Sequence, residues 1–187
     1  ETPVTVAWHA FQLNPDLPRT GVDRKTYLEQ KFGGPARARE IYARVEAAGR
    51  EAGIAFDFDR IRVQPNTQQA HRLIAWASQR GRGTPLVEAL FRAYFLEGQD
   101  FTDDARLADA AAEAGLKRDA AMAFLASDEL SEDVASDESV ARQIGVQGVP
   151  FFIFDGRLAA SGAQPADALL AAMEEALAGQ ASGTSGA

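Results

Sequence analysis

The chain has 187 residues, 46% apolar and 25% charged, proportions that suit one compact domain carrying an inserted subdomain. Its net charge of −8 argues against nucleic acid or an anionic membrane surface as partner, because both select basic patches. No apolar run approaches the roughly 18 residues of a membrane span, and cysteine is absent.

In chain order, Val4, Val6, Trp8 and Ala10 alternate with Thr5, Ala7, His9 and Phe11, the period of a strand. Two prolines in Asn14-Pro15-Asp16-Leu17-Pro18 end it. Asp23 is placed to cap a short helix bearing Tyr27, Leu28 and Phe32, which Gly33-Gly34 stops. Pro35 suits the first position of a second helix with Ala38, Ile41, Tyr42 and Val45 on one face, ending near Gly53. Asn66-Thr67-Gln68-Gln69 reads as a capping box, with Asn66 as N-cap and Gln69 reaching back, ahead of a helix that stops at Gly81. Thr84-Pro85 begins another, with Leu86, Leu90, Phe91, Tyr94 and Phe95 as a heavy apolar face. Asp103 to Ala114 and Arg118 to Ala126 make a further helical pair broken at Gly115.

Ser131 to Ile144 predicts a helix closed by Gly145. Gly148-Val149-Pro150 then opens the apolar run Phe151–Phe154, and Asp155-Gly156 is a strong hairpin signal. Pro150 cannot donate to a ladder, so it belongs at the strand's first residue. X-Pro bonds take the cis form at little cost, and a cis bond here would turn the backbone of Val149 outward. Pro165 opens a last helix with Leu169, Leu170, Met173 and Leu177, and Gly179 to Ala187 reads as a frayed tail.

The ordered set Phe11-Gln12-Leu13-Asn14-Pro15, Lys31-Phe32-Gly33-Gly34, Asn66-Thr67…Ala70-His71-Arg72, Phe91-Arg92-Ala93-Tyr94-Phe95, Ile144 to Phe152 and Ser161 to Pro165 closely resembles DsbA-family proteins of the FrnE-like type. The likeness covers about Val4 to Leu177. It implies an α/β thioredoxin-like fold with a large helical insertion, and thiol–disulfide exchange on proteins or small thiols. The implied thioredoxin-like parts are 1–20 and 128–178, with a helical insertion over 21–127 and a flexible tail over 179–187. The family's Cys-x-x-Cys, and the strand and helix around it, are missing from the chain, which resembles the family from its second strand onward. Without a thiolate the chain cannot exchange disulfides. The gap would be filled by another segment, closed by rearrangement, or left as instability.

By the same resemblance, Gly148, Val149 and Pro150 form a substrate-binding loop, and Asn66, Thr67 and His71 begin a helix facing the reacting sulfurs. The plain alternatives are a strand-opening proline, a capping Asn66 and a satisfied helix histidine. Ser161 lies where related kappa-class glutathione transferases and hydroxychromene-carboxylate isomerases help bind glutathione, though a helix-entry turn explains it as well. No cofactor is expected beyond glutathione as co-substrate. His9, with neither cysteine nor paired carboxylates about it, does not suggest a metal site. Other readings are a glutathione-dependent isomerase or transferase, and a peptide-binding or holdase module without catalysis. A cytoplasmic monomer or homodimer completes the expectation.

Overall fold

The computed structural model describes residues 3–183, with side chains described through residue 179. The chain divides into two compact units, Glu1–Glu138 and Ser139–Ala187.

The first unit is helical. Asp23 caps α1 (Arg24–Phe32), its Oδ1 accepting from the Thr26 backbone N–H at 2.8 Å and from the Thr26 hydroxyl at 2.7 Å. These bonds hold the Asp23 carboxyl below its usual range. Gly33, left-handed at φ 77°, ends α1, and Pro35 opens α2 (Pro35–Glu51). Gly49 near the end of α2 lets the Phe56 ring press onto the helix, because a Cβ there would come within 2.5 Å of the ring. The two-residue strands β1 (Val22–Asp23) and β2 (Val63–Gln64) pair antiparallel. No periodicity signals so short a pair. Phe56-Asp57-Phe58-Asp59 yields a single 3-10 turn over Phe58–Arg60. Phe56, Phe58, Tyr42 and Phe95 form a ring cluster, with Tyr42–Phe58 centroids 4.8 Å apart and Phe56–Phe58 centroids 5.0 Å apart.

The core lies among α3 (Gln68–Ser78), α4 (Gly83–Phe95), α5 (Asp104–Glu113) and α6 (Arg118–Leu125). Leu73, Leu86, Leu107 and Leu125 are its largest fully buried side chains. Small residues on α5, Ala108, Ala110 and Ala111, let these helices approach closely. Gly115, at φ 86°, makes the turn between α5 and α6.

Helix α7 (Ser131–Gln143) is closed by left-handed Gly145, with the Val146 N–H donating to Ala141 O at 2.9 Å. In the second unit β3 (Phe151–Phe154) and β4 (Leu158–Ser161) pair antiparallel, from Phe151 opposite Ser161 to Phe154 opposite Leu158. Asp155 and Gly156 have φ 53° and 67°, the two positive angles that a type I′ hairpin turn requires. Helix α8 (Ala166–Gly183) follows, with Pro165 O accepting from the Ala168 and Leu169 N–H groups.

Three expectations are corrected. Residues 4–11 form no strand; among the described residues the sheets are the pairs β1–β2 and β3–β4 alone. Alternation shapes a strand only when a neighbour supplies hydrogen bonds, and Ala10 and Gln12 find carboxylates instead. The predicted tail over 179–187 is helical through Gly183, and 184–187 lie outside the described residues. The capping box also does not form: Thr67 precedes α3 without a side-chain cap, and Gln69 Nε2 donates instead to Leu125 O at 3.1 Å.

Arg72, 2% exposed, carries the link from α3 to the end of α6. Its Nε donates to Glu129 O at 2.9 Å, Nη2 to Ser127 O at 2.6 Å and Nη1 to Gln69 Oε1. Its guanidinium lies 5.0 Å from the Phe124 centroid. Arg72→Met should cost about 3 kcal/mol in urea unfolding, because one buried and two part-buried acceptors lose their donor. Leu86→Ala should cost about 2–5 kcal/mol with an unchanged m-value, as a cavity opens in the helical core. A loss under about 1 kcal/mol in either variant would contradict this packing.

Candidate functional site

In the second unit, Gly145-Val146-Gln147-Gly148 leads from α7 to the Val149–Pro150 bond, which is cis. Pro150 O accepts from the Gly162 N–H at 2.8 Å, fixing the loop to the residue that follows β4. Val149 is 51% exposed. Neither its N–H nor its C=O is engaged by any described residue. Among the described residues strand β3 pairs only with β4, so its other edge carries no described ladder bonds, and Ile153 is 52% exposed. Such an edge next to a free backbone pair can receive an extended peptide. Ser161 is exposed, with its carbonyl accepting from Gln164 Nε2 at 2.8 Å and its hydroxyl making no described bond.

In the first unit, Asn66 acts as a clasp. Its Oδ1 accepts from the Gln68 N–H at 2.9 Å, and its Nδ2 donates to Pro15 O at 3.1 Å and Leu17 O at 2.8 Å. The side chain thereby ties the Asn14–Pro18 turn to the start of α3, and its hydrogen-bonding capacity is largely used in doing so. Beside it lies a cavity of about 220 Å³ lined by Leu17, Arg19, Asn66, Gln68, Gln69, Phe101, Thr102 and Asp104. Arg19 and Asp104 are joined there at 2.7 Å. Thr67 does not line that cavity; its carbonyl accepts from the His71 N–H at 3.0 Å.

His71 is half-buried, and burial pushes its imidazole below the ordinary 6.5, with Glu138 and then Asp137 pulling the other way. Those two carboxylates hold the N-terminal segment. Asp137 Oδ1 meets His9 Nδ1 at 3.0 Å and Oδ2 accepts from the Ala10 N–H at 3.1 Å, while Glu138 Oε1 accepts from the Gln12 N–H at 3.2 Å. Gln12 is buried, and its Oε1 has no described partner. Asp137, Glu138 and Gln12 were not foreseen as site residues. The adjacent acids on α7 were visible, but nothing local shows that residues 9–12 run past them. Among the described residues no cluster of His, Cys, Asp or Glu is arranged to hold a metal ion, and no helix is long and apolar enough to cross a membrane.

The His71 shift has a sign. Unfolded chain takes up a proton near the ordinary 6.5, whereas folded His71 does so only at lower pH. Its contribution to stability is therefore complete above that value and declines as pH falls through it toward the folded value. Wild-type protein should lose more stability between pH 7.5 and 5.5 than His71→Gln, as measured by urea unfolding at both pH values. Equal losses in the two proteins would remove this assignment.

Against known proteins, the DSBA-like thioredoxin domain matches residues 1–174. The crystal structure of a probable DsbA oxidoreductase from Streptomyces coelicolor superposes with a TM-score of 0.83 at 32% identity, over 91% of this chain and 74% of that one. A Nitrosomonas europaea protein assigned as a protein disulfide isomerase shares the fold, with a TM-score of 0.65 at 18% identity, over 76% of this chain and 74% of that one. No curated protein matches the sequence. With its helix-rich thioredoxin-like architecture and this match across nearly its whole length, the chain belongs to the DSBA-like thioredoxin domain family of thiol–disulfide oxidoreductases.

Proposed function

We propose that this chain is the substrate-binding part of a FrnE-like thiol–disulfide oxidoreductase acting on protein disulfides or small thiols. The observation that carries the reading is the unengaged backbone of Val149 beside the open edge of β3. An extended substrate would exchange main-chain hydrogen bonds with Val149, with Gly148 leaving room for its backbone and Pro150 opening the strand. In the first unit, Thr67 just before α3 and His71 on it are separate candidate substrate contacts by the family resemblance, and Asn66 orders the turn beside them. Glutathione remains a candidate co-substrate, with exposed Ser161 as its contact.

The chemistry needs a sulfur that this chain lacks. In exchange, a thiolate attacks one sulfur of a disulfide and forms a mixed disulfide while the other sulfur leaves as a thiolate. A second thiolate then resolves the intermediate. With no cysteine among its 187 residues, the chain itself contributes binding and no attacking group. A Cys-x-x-Cys encoded ahead of Glu1 would complete the enzyme. The same lack of cysteine favours one other reading, a peptide-binding module without catalysis.

Coding sequence ahead of Glu1, together with insulin reduction by the whole product, separates the two. A Cys-x-x-Cys with reductase activity supports the oxidoreductase. An intact Cys-x-x-Cys without activity counts against it, and peptide retention with no thiol dependence selects the binding module. For the loop itself, Val149→Pro removes one donor from the docking edge. Affinity for an extended cysteine-containing peptide should fall tenfold or more while far-UV circular dichroism stays unchanged. Undiminished binding by a folded variant would place the peptide elsewhere.

A further inference from the structure

Away from the loop and from the start of α3, the turn joining α3 to α4 faces the turn joining α5 to α6 across a groove of about 380 Å³. Trp76, Leu116 and Ala120 contribute an apolar floor, with Arg80, Arg82 and Lys117 around it. That volume falls in the range of small-ligand sites, about 300–1,000 Å³.

Net charge is −8, and several arginines of α4 to α6 are paired with acids: Arg92 with Glu113, and Arg106 and Arg118 with Asp109. Arg80, Arg82 and Lys117 meet no carboxylate among the described residues, and no acidic residue lines the groove. Nor are all three loose. Arg80 lies 4.0 Å from the Trp76 ring centroid and donates from Nη1 to Trp76 O at 2.9 Å. Trp76 in turn stacks on Phe124 at 5.3 Å, which holds the ring in the core. Arg82 packs over left-handed Gly115, where a Cβ would stand 3.7 Å from the Arg82 Cζ.

A fixed guanidinium, two further cations and an apolar floor make a particular recognition chemistry. A bare inorganic anion would use the charges and leave the floor wet. A neutral apolar group would cover the floor and leave the cations unanswered. We propose that this groove binds a carboxylate carried on an apolar body, with the carboxylate met by Arg82 and Lys117 and the body lying on Leu116 and Ala120 beside Trp76. Two sources share that chemistry: a free organic acid, and the apolar C-terminal residue of a peptide.

Calorimetric titration of the full chain at low salt tests the proposal. The probes are decanoate, N-acetyl-Ala-Ala-Phe with a free carboxylate, the same peptide amidated, and inorganic phosphate. Either carboxylate binding at least tenfold more tightly than phosphate, with the amidated peptide failing, supports the groove. Decanoate alone identifies free acids, the peptide acid alone identifies C-termini, and both together identify the shared head group. The exposed double variant Arg82→Gln/Lys117→Gln should weaken binding tenfold or more with its melting temperature retained. Equal binding of the amide, phosphate as tight as either acid, an unaffected double variant, or no binding by either acid would each overturn it.

Discussion

A buried guanidinium organises the first unit. Among the described residues Arg72, buried beside the helical core, meets no carboxylate, and its charge is tolerable because main-chain and amide oxygens surround it. Those oxygens come from Gln69 on its own helix and from Ser127 and Glu129 just beyond α6. Gln69 also closes on Leu125 O, so the end of α6 is held by both side chains. The connection that follows passes through Leu130, a non-glycine residue at φ 61°, before α7 begins. That strained residue persists because the surrounding bonds leave the turn little alternative.

Where α7 begins decides what its acids can reach. Asp137 and Glu138 take the backbone N–H groups of Ala10 and Gln12, bonds that a strand would give to a neighbouring strand. Charge-assisted bonds of this kind are stronger than neutral ones, and with Trp8 Nε1 donating to Thr84 Oγ1 at 2.9 Å they hold the segment. Val4 and Val6 remain largely exposed, at 64% and 59%. The apolar side of the N-terminal segment is thus left largely uncovered, even though its sequence has the alternation of a strand.

The candidate site was legible unevenly. Gly148-Val149-Pro150 and the Asp155-Gly156 turn declare themselves through residue types that allow few backbone conformations, so the loop and hairpin could be placed from local chemistry. Asn66 could also be singled out, but not its task. A capping box and an Asx turn begin with the same residue, and the choice depends on whether distant carbonyls compete for the side chain. Pro15 O and Leu17 O do so here, and Gln69 is drawn away by Leu125 and Arg72. His71 was recognisable as a histidine near a helix start. Its lowered proton affinity comes from packing, which no local pattern records.

By itself the sequence determined the helices, most of their stops and the hairpin. Apolar spacing, glycines such as Gly33, Gly115 and Gly145, and prolines such as Pro35 act through the few bonds on either side of them. It also determined that no thiol chemistry can originate in this chain, because composition alone decides that. Tertiary structure decided where residues 4–12 go, what Asn66 and Gln69 bond to, and how Arg80, Arg82 and Lys117 come to share one groove. Those outcomes depend on partners tens of residues away, and a hydrogen bond or a shared groove is set by position in space rather than by order along the chain.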